Sequence, residues 1–126
     1  MEQFIKSMIG RSRMIESYDF GEIIVDGKRY FSDLLIFPKK VLSGWWRKKG
    51  HSLCIEDLKD VIKEKPEVIV IGTGYAGLMN VPKDIREQIR NLGIDLIIQR
   101  TEEACKTFNE LLKAGIMVVA ALHLTC

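Results

Sequence analysis

The sequence predicts an α/β fold with a central mixed sheet on which helices pack. Residues 68–71 (VIVI) and 116–122 (IMVVAAL) are apolar at nearly every position, as strands of a sheet covered on both faces must be. The C-terminal half alternates strand and helix, which favours parallel strands with right-handed connections. Near the N-terminus, two short strands flank Asp26-Gly27, a pair suited to a two-residue hairpin turn. We therefore expect an N-terminal β-hairpin that adds antiparallel strands to the sheet, followed by alternating strand and helix.

The first third of the chain is predicted to be β structure. The hairpin strands are residues 22–25 and 28–31, and a third strand, residues 34–37, ends at Pro38, which has no N–H to donate to a ladder. Residues 39–53 have no steady apolar period. They are therefore interpreted as a long irregular connection, a type of loop that often carries function.

The rest of the chain alternates helices and strands. Apolar residues spaced along one helical face begin at Ile55, and Pro66 stops this helix. Pro82 suits a first helical position, and Thr101 suits an N-cap that accepts a bond from a free helical N–H. Gly93 and Gly115 suit the left-handed residue after a helix. The predicted elements are strand 68–71, helix 83–91, strand 94–99, helix 102–113 and strand 116–122.

Length and composition predict one globular domain spanning residues 1–126. The chain is 47% hydrophobic and 29% charged, and its net charge of +2 is too small for the whole surface to attract nucleic acid or membrane. Its three cysteines are an odd number at wide spacings, which favours reduced thiols and a cytoplasmic protein. No signal segment or membrane-spanning apolar run is recognised, so no membrane association is expected.

Residues 72–77 (GTGYAG) match the G-x-G-x-x-G pattern of dinucleotide-binding turns and follow a buried strand. That motif needs a helix to begin among the glycines so that its N–H groups meet the pyrophosphate. Here residues 78–81 intervene before Pro82, which disfavours nucleotide binding. A crevice for a small anion or metabolite, in a binding protein or an enzyme, stays an alternative because loops after parallel strands line such crevices. Its candidate ligand-binding residues are Gly72, Thr73, Gly74, Arg100 and Thr101.

Neither a metal nor a catalytic site is predicted. The pairs His51/Cys54 and His123/Cys126 repeat one H-x-x-C spacing, but they lie far apart and lack the close cysteine pairs typical of zinc sites. The thiol and base considered for nucleophilic catalysis are Cys126 and His123, which lie at a terminus that can fray. No cofactor and no catalytic residues are assigned, and the sequence leans against an enzyme.

The segment that we call the Trp loop, residues 39–51, contains two tryptophans and five Lys and Arg residues. Trp and Arg are enriched at protein-binding hot spots, so Trp45, Trp46 and Arg47 are the candidate partner-binding residues. The same composition can stack on bases and bind phosphates, although the small net charge weighs against nucleic acid. A third interpretation has Trp46 folded onto the sheet and the lysines solvated.

The order of several residues resembles a known family. Trp46-Arg47 and His51 are followed by the glycine turn, Pro82, Gly93, Thr101 and a final His-Leu-Thr-Cys. Further matching positions are Glu56-Asp57-Leu58, Leu92, Ile94, Ala104, residues 108–112 and Gly115. This set is similar to the small domain of unknown function shared by the mammalian adipogenesis-associated protein and a mitochondrial respiratory complex I assembly factor.

The resemblance implies a three-layer α/β fold around a mixed sheet, a role through protein association, and no family-wide catalytic residues. The chain departs from the mitochondrial member in lacking a presequence, which favours the cytoplasmic form of the domain. The leading hypothesis is thus a non-catalytic interaction or assembly-factor-like protein with an unidentified protein partner. Self-association stays open, and anion binding and nucleic-acid binding are the alternatives.

Overall fold

The computed structural model describes residues 14–126, which contain two β-sheets. The smaller is a three-stranded antiparallel sheet in the order β1-β2-β3, and the larger has five strands in the order β5-β4-β8-β6-β7. The strands are β1 Ile15–Asp19, β2 Glu22–Val25, β3 Lys28–Tyr30, β4 Leu34–Ile36, β5 Val41–Ser43, β6 Val68–Thr73, β7 Asp95–Gln99 and β8 Val118–His123.

The five-stranded sheet is mixed, as predicted. Strands β8, β6 and β7 run parallel, whereas β4 is antiparallel to both β8 and β5. In the register, Ile71 of β6 lies beside Ala121 of β8 on one side and Ile98 of β7 on the other. Every residue of β6 and β8 is buried, which explains why their sequences are almost continuously apolar.

The helices cover the sheet on both faces. A 3-10 turn, Ile55–Leu58, leads into α1 (Lys59–Lys63), which is followed by α2 (Lys83–Asn91) and α3 (Thr101–Lys113). One apolar core, which we call the α3-side core, contains Phe108 of α3 and Ile23 and Val25 of β2. The other apolar core contains Leu58 and Ile89. This arrangement confirms the three-layer α/β fold. None of the helices among residues 14–126 is long and apolar enough to cross a membrane.

The hairpin turn forms as predicted, with positive φ angles of 52° at Asp26 and 79° at Gly27. The expectation that the hairpin extends the central sheet is wrong. Its strands pair with β1 in the separate small sheet, and β4 and β5 supply the antiparallel strands of the central sheet. The cause is packing, because Ile23 and Val25 are buried in the α3-side core, which places the hairpin over the sheet face.

Three local predictions also differ from the structure. Residues 41–43, predicted to be irregular, form the edge strand β5, and β1 was not anticipated. Thr101 is the first residue of α3 and does not cap it, because its hydroxyl bonds to Gly74 and His123 elsewhere in the fold. Pro82 is the N-cap of α2, one position before the predicted one.

Candidate functional site at the Trp loop

The two adjacent tryptophans of the Trp loop have different environments. The backbone N–H of Trp45 donates to the Asp33 carbonyl (2.9 Å), and its indole Nε1–H donates to the Asp57 carbonyl (2.9 Å). Trp45 is half-buried against the core beneath the loop, whereas Trp46 is 88% exposed. The interpretation that Trp46 folds onto the sheet is therefore wrong, and Trp45 takes that place.

A buried polar cluster fixes the loop to the sheet. The Arg47 guanidinium Nη2 lies 2.9 Å from Asp33 Oδ2, and His123 Nδ1 lies 2.7 Å from the same oxygen. The second oxygen, Oδ1, accepts the backbone N–H of Leu124 at 2.7 Å. The side chains of Arg47 and His123 are each only 6% exposed. Asp33 thus joins three segments: the start of β4, the Trp loop and the end of β8.

The ionisation of Asp33 follows from these contacts. Burial by itself would raise the pKa of Asp33, but hydrogen bonds from His123, the Leu124 N–H and Arg47 together hold that pKa below its usual value. An ionised carboxylate at this position can accept hydrogen bonds from both Arg47 Nη2 and a protonated His123 Nδ1. The cluster is an ion pair of Asp33 and Arg47 with an oriented imidazole.

An Asp–His pair can orient the histidine as a general base. In the Asp33–His123 pair, however, the second ring nitrogen does not face a substrate site. His123 Nε2 is buried without a hydrogen-bond partner in the described part of the chain, and no hydroxyl or thiol is bonded to it. A nucleophile within hydrogen-bond reach is what a hydrolytic triad requires. The ring of His51 lies edge-on, with ring centroids 5.9 Å apart. The geometry suits an anchor and gives no support to nucleophilic catalysis.

A groove of about 530 Å³ opens beside this anchor, and its walls include Ser32, Gly44, Trp45, Trp46, Arg47 and Lys48. The Arg47 guanidinium carbon lies 4.8 Å from the centre of the Trp45 ring, within the range of a cation–π contact. Arg47 Nε–H donates to the Gly50 carbonyl at 3.0 Å, which closes the loop on itself. All three candidate partner-binding residues, Trp45, Trp46 and Arg47, thus line one groove.

The glycine turn after β6 packs against residues 124–126. A Cβ atom added to Gly74, whose φ is +110°, would lie 2.4 Å from the carbonyl carbon of Cys126. Tyr75 N–H donates to the Thr125 carbonyl (2.7 Å), and Leu78 N–H donates to the Cys126 carbonyl (3.0 Å). Glycine is required here because another backbone segment passes directly over the turn.

The predicted anion-site residues lie together, but several of their polar groups already have partners within the chain. Gly74 N–H donates to Thr101 Oγ1 (2.8 Å), and that hydroxyl donates to the His123 carbonyl (2.6 Å). Arg100 donates from Nε and Nη2 to the Tyr75 carbonyl, and Thr73 Oγ1 donates to the Gln99 carbonyl. A Cβ on Gly72 would meet Thr101 and Leu122 at 2.8 Å. Ligand binding at this turn stays a prediction.

The fold places the two histidine rings of the repeated H-x-x-C spacing near each other. Across residues 14–126, however, no three His, Cys, Asp or Glu side chains are placed to hold a metal ion. Cys105 lies in the α3-side core, where burial, with a smaller contribution from Glu102, raises its pKa to about 12. Packing in the core therefore explains the presence of a cysteine at position 105.

Asp33 is the residue that sequence reasoning missed. It stands alone before an apolar strand, and no nearby spacing links it to Arg47 or His123. Only the pairing of β4 with β8, which sets Leu34 beside Leu122, brings its carboxylate to His123. The resemblance did include Arg47 and His123, though without a reason for their position.

The fold and the loop describe a small α/β domain with an anchored, exposed aromatic loop. A model of the family of proteins of unknown function DUF498/DUF598 matches residues 15–123, and the chain belongs to this family. The resemblance seen in the sequence is therefore confirmed.

Named relatives and solved structures agree with this membership. The chain is 31% identical over 111 residues to the NADH dehydrogenase [ubiquinone] 1 alpha subcomplex assembly factor 3 of Bos taurus, covering 86% of this chain and 59% of the relative. It spans about three fifths of the length of the curated relatives it matches first. The solved structure of MT938 has a TM-score of 0.76 and 30% identity, covering 91% of this chain and 100% of that one. The hypothetical protein PH1505 from Pyrococcus horikoshii OT3 has a TM-score of 0.76 and 27% identity, covering 89% and 98%.

Proposed function

We propose that the protein is a non-catalytic, assembly-factor-like interaction protein that binds a protein partner through the Trp loop. The observation that carries this proposal is the 88% exposure of Trp46 on a loop whose neighbouring residues are fixed. A large aromatic side chain in water contributes little to folding and has much apolar surface to bury in a complex. Tryptophan is also the residue type most enriched at binding hot spots.

The loop is held in shape before any partner arrives. Trp45 is bonded at its backbone and its indole, and Lys48 N–H donates to Asp57 Oδ1 at 3.2 Å. The same Asp57 accepts the Cys54 N–H at 2.8 Å through its other oxygen. Ordering a loop on binding reduces affinity, so a loop already held by these bonds loses less on association. The Trp loop therefore presents Trp46 from a preorganised base.

The relatives support the assembly-factor-like part of the proposal. The names of several relatives describe assembly factors of an NADH dehydrogenase subcomplex, and such factors act by binding other proteins. Whether this chain binds a respiratory subunit is a separate question, because it spans only part of those relatives. A cytoplasmic location is likewise a proposal that rests on the sequence.

The experiment compares partner capture by Trp46→Ala with capture by a matched control, Phe31→Ala. Phe31 is an aromatic residue that is 69% exposed at the end of the hairpin. Each variant, carrying the same tag, retrieves proteins from an extract of cells that make this protein, and the captured proteins are quantified by mass spectrometry. We expect Trp46→Ala to lose the proteins that wild type and Phe31→Ala both retain. Equal capture by Trp46→Ala and wild type would reject the Trp loop as the interface.

A further inference from the structure

We propose that β7 is the contact edge of a homodimer, at which a second copy of this chain adds its own β7 in the antiparallel direction and joins the two central sheets. This edge lies opposite to β5, the strand that belongs to the Trp loop, so the inference is independent of the proposed function. Three observations carry it: the free backbone groups of β7, the absence of protection along this edge, and the self-complementary order of its residues.

The backbone of β7 is hydrogen-bonded to another strand on one side only. β7 is the last strand of the five-stranded sheet, and β6 is its one neighbour. Asp95 N–H donates to the Glu67 carbonyl (3.0 Å), at the start of β6. Because successive residues of a strand direct their backbone groups to alternate sides, Leu96 and Ile98 direct their N–H and carbonyl groups away from β6. No described residue bonds to these outward groups, so a second strand can pair with all of them.

The other sheet edges within residues 14–126 have features that hinder the addition of a strand. β5 has three residues and directly follows two lysines, and β3 has three residues of which two are cationic. β1 has an irregular register, and Asn109 of α3 bonds to both the N–H and the carbonyl of Ile15. β7 has five residues without Lys, Arg, Pro or Gly, and each of them is at least partly exposed. Among the described strands, β7 is thus the edge left open to pairing.

The residues of β7 are complementary to themselves in the antiparallel direction. A two-fold axis at Ile97 places Leu96 beside Ile98 of the second copy, and this register pairs all the outward backbone groups of both strands. Residues directly opposite each other in such a pair lie on the same sheet face. The Ile98 side chain, which is 36% exposed, is therefore covered by Leu96 of the second copy.

The charges at the two ends of β7 favour the antiparallel direction. Asp95 is exposed and has no ion pair among the described residues. In the proposed register it lies opposite Gln99 of the second copy, which Arg100 follows. Gln99 accepts the Thr107 hydroxyl at Oε1 (2.7 Å), so its amide N–H groups are free to donate to the carboxylate. Parallel pairing in register would instead set two Asp95 carboxylates side by side, which is unfavourable. A second copy thus matches this edge in direction and charge.

The test is sedimentation equilibrium of the purified full chain at concentrations up to about 100 µM. We expect wild type to reach twice the mass of one chain. Ile98→Lys places a charge in the contact, and Ile98→Pro removes an N–H that faces away from β6, so each should weaken dimerisation at least about tenfold. Leu42→Lys is the matched control, because Leu42 is 38% exposed on the opposite edge strand β5, and it should dimerise like wild type. Circular dichroism establishes that each variant is folded.

Disulfide trapping tests the register. In a chain carrying Cys126→Ser, the double substitution Asp95→Cys with Gln99→Cys should give a covalent dimer on oxidation, because these positions face each other between the copies. Either substitution alone should give none, since the same position in the two copies is offset by about 13 Å along the strands.

A wild-type protein that stays monomeric at about 100 µM would overturn the inference, even if a strand of another protein binds to β7. Wild-type dimerisation by folded Ile98→Lys, loss of the dimer in Leu42→Lys, or no covalent dimer of the double-cysteine chain would also overturn it. Trp46→Ala should dimerise like wild type, because the Trp loop lies at the other edge of the sheet. Failure of the dimer therefore leaves the capture experiment intact, and failure of capture leaves the dimer intact.

Discussion

Asp33 Oδ2 lies 2.7 Å from His123 Nδ1, and this contact joins the start of β4 to the end of β8. The two strands are antiparallel neighbours in the central sheet, so the side chains meet at the sheet edge from which the Trp loop emerges. Arg47 binds the same carboxylate oxygen, which extends the sheet contact to the loop. The Asp33 carboxylate therefore helps to hold in place the loop that carries the exposed Trp46.

Replacing Asp33 with Asn should destabilise the protein by about 3 kcal/mol, because it leaves Arg47 buried without its counter-charge. The measurement is urea denaturation monitored by tryptophan fluorescence at neutral pH. Glu22→Gln is the control, since Glu22 forms an exposed pair with Arg29 at 2.7 Å and should change stability by less than about 1 kcal/mol. Equal effects of the two substitutions would contradict the role assigned to Asp33.

The difference between wild type and Asp33→Asn should depend on pH. The pKa of Asp33 is lower in the folded protein than in the unfolded chain, where it is about 3.9. Its ionised form therefore contributes stability fully above that unfolded value, and the contribution is lost as pH falls through the folded pKa. Stability measured between neutral pH and acid should show the two proteins converging at the acid end. A constant difference throughout would contradict the linkage.

Gly74→Ala should destabilise the fold by about 3 kcal/mol or more. Its Cβ would collide with the backbone of Cys126, and its φ of +110° is unfavourable for alanine. Gly93→Ala is the matched control, because Gly93 also has a positive φ, +81°, but an added Cβ there meets nothing within 4 Å. This control should lose only about 1–2 kcal/mol, the cost of a left-handed backbone at a residue other than glycine. Thermal denaturation of both variants measures the difference, and similar losses would show that close packing of residues 124–126 is unimportant.

Replacing Trp45 and replacing Trp46 should have different effects on stability. Trp46→Ala should change the free energy of unfolding by less than about 0.5 kcal/mol, as exposed substitutions do. Trp45→Ala removes a half-buried ring that bonds to Asp57 and contacts Arg47, and should lower stability by about 2 kcal/mol or more. Acrylamide should quench the Trp45→Phe protein, which retains Trp46, more strongly than Trp46→Phe. The reverse order of quenching would contradict the exposures described above.

Thiol reactivity should follow burial. Cys126 is exposed, whereas Cys105 is buried with a pKa raised to about 12 by burial and, to a smaller extent, by Glu102. In a reaction with a disulfide reagent at pH 8, the fastest thiol should disappear in Cys126→Ser, and Cys105 should react only on unfolding. Loss of the fastest phase in Cys105→Ser would contradict the buried position.

Much of the fold could be predicted because its signals are local. The strands β6 and β8 are apolar on both faces, and Asp26-Gly27 has the turn preference of a hairpin. The assignment of the hairpin to the wrong sheet shows the limit of such signals. Strand pairing in this case depends on how Ile23 and Val25 pack against α3, which no short sequence pattern encodes.

The candidate site shows the same limit. Trp45, Trp46 and Arg47 could be selected from composition, since aromatic and cationic residues are concentrated in one loop. Which tryptophan faces water could not be predicted, because that depends on the bonds from Trp45 to Asp33 and Asp57. Thr101 illustrates a second cause, since a hydroxyl well suited to cap a helix is used in a tertiary contact with Gly74.

The most direct test of the central claim is the dissociation constant of the purified partner for three proteins: wild type, Trp46→Ala and Phe31→Ala. Once the partner is identified by capture, isothermal titration gives all three values under one condition. Binding by Trp46→Ala should be at least about tenfold weaker, as expected of a hot-spot tryptophan, while Phe31→Ala binds like wild type. Wild-type affinity in folded Trp46→Ala would contradict the proposal that the Trp loop is the binding surface.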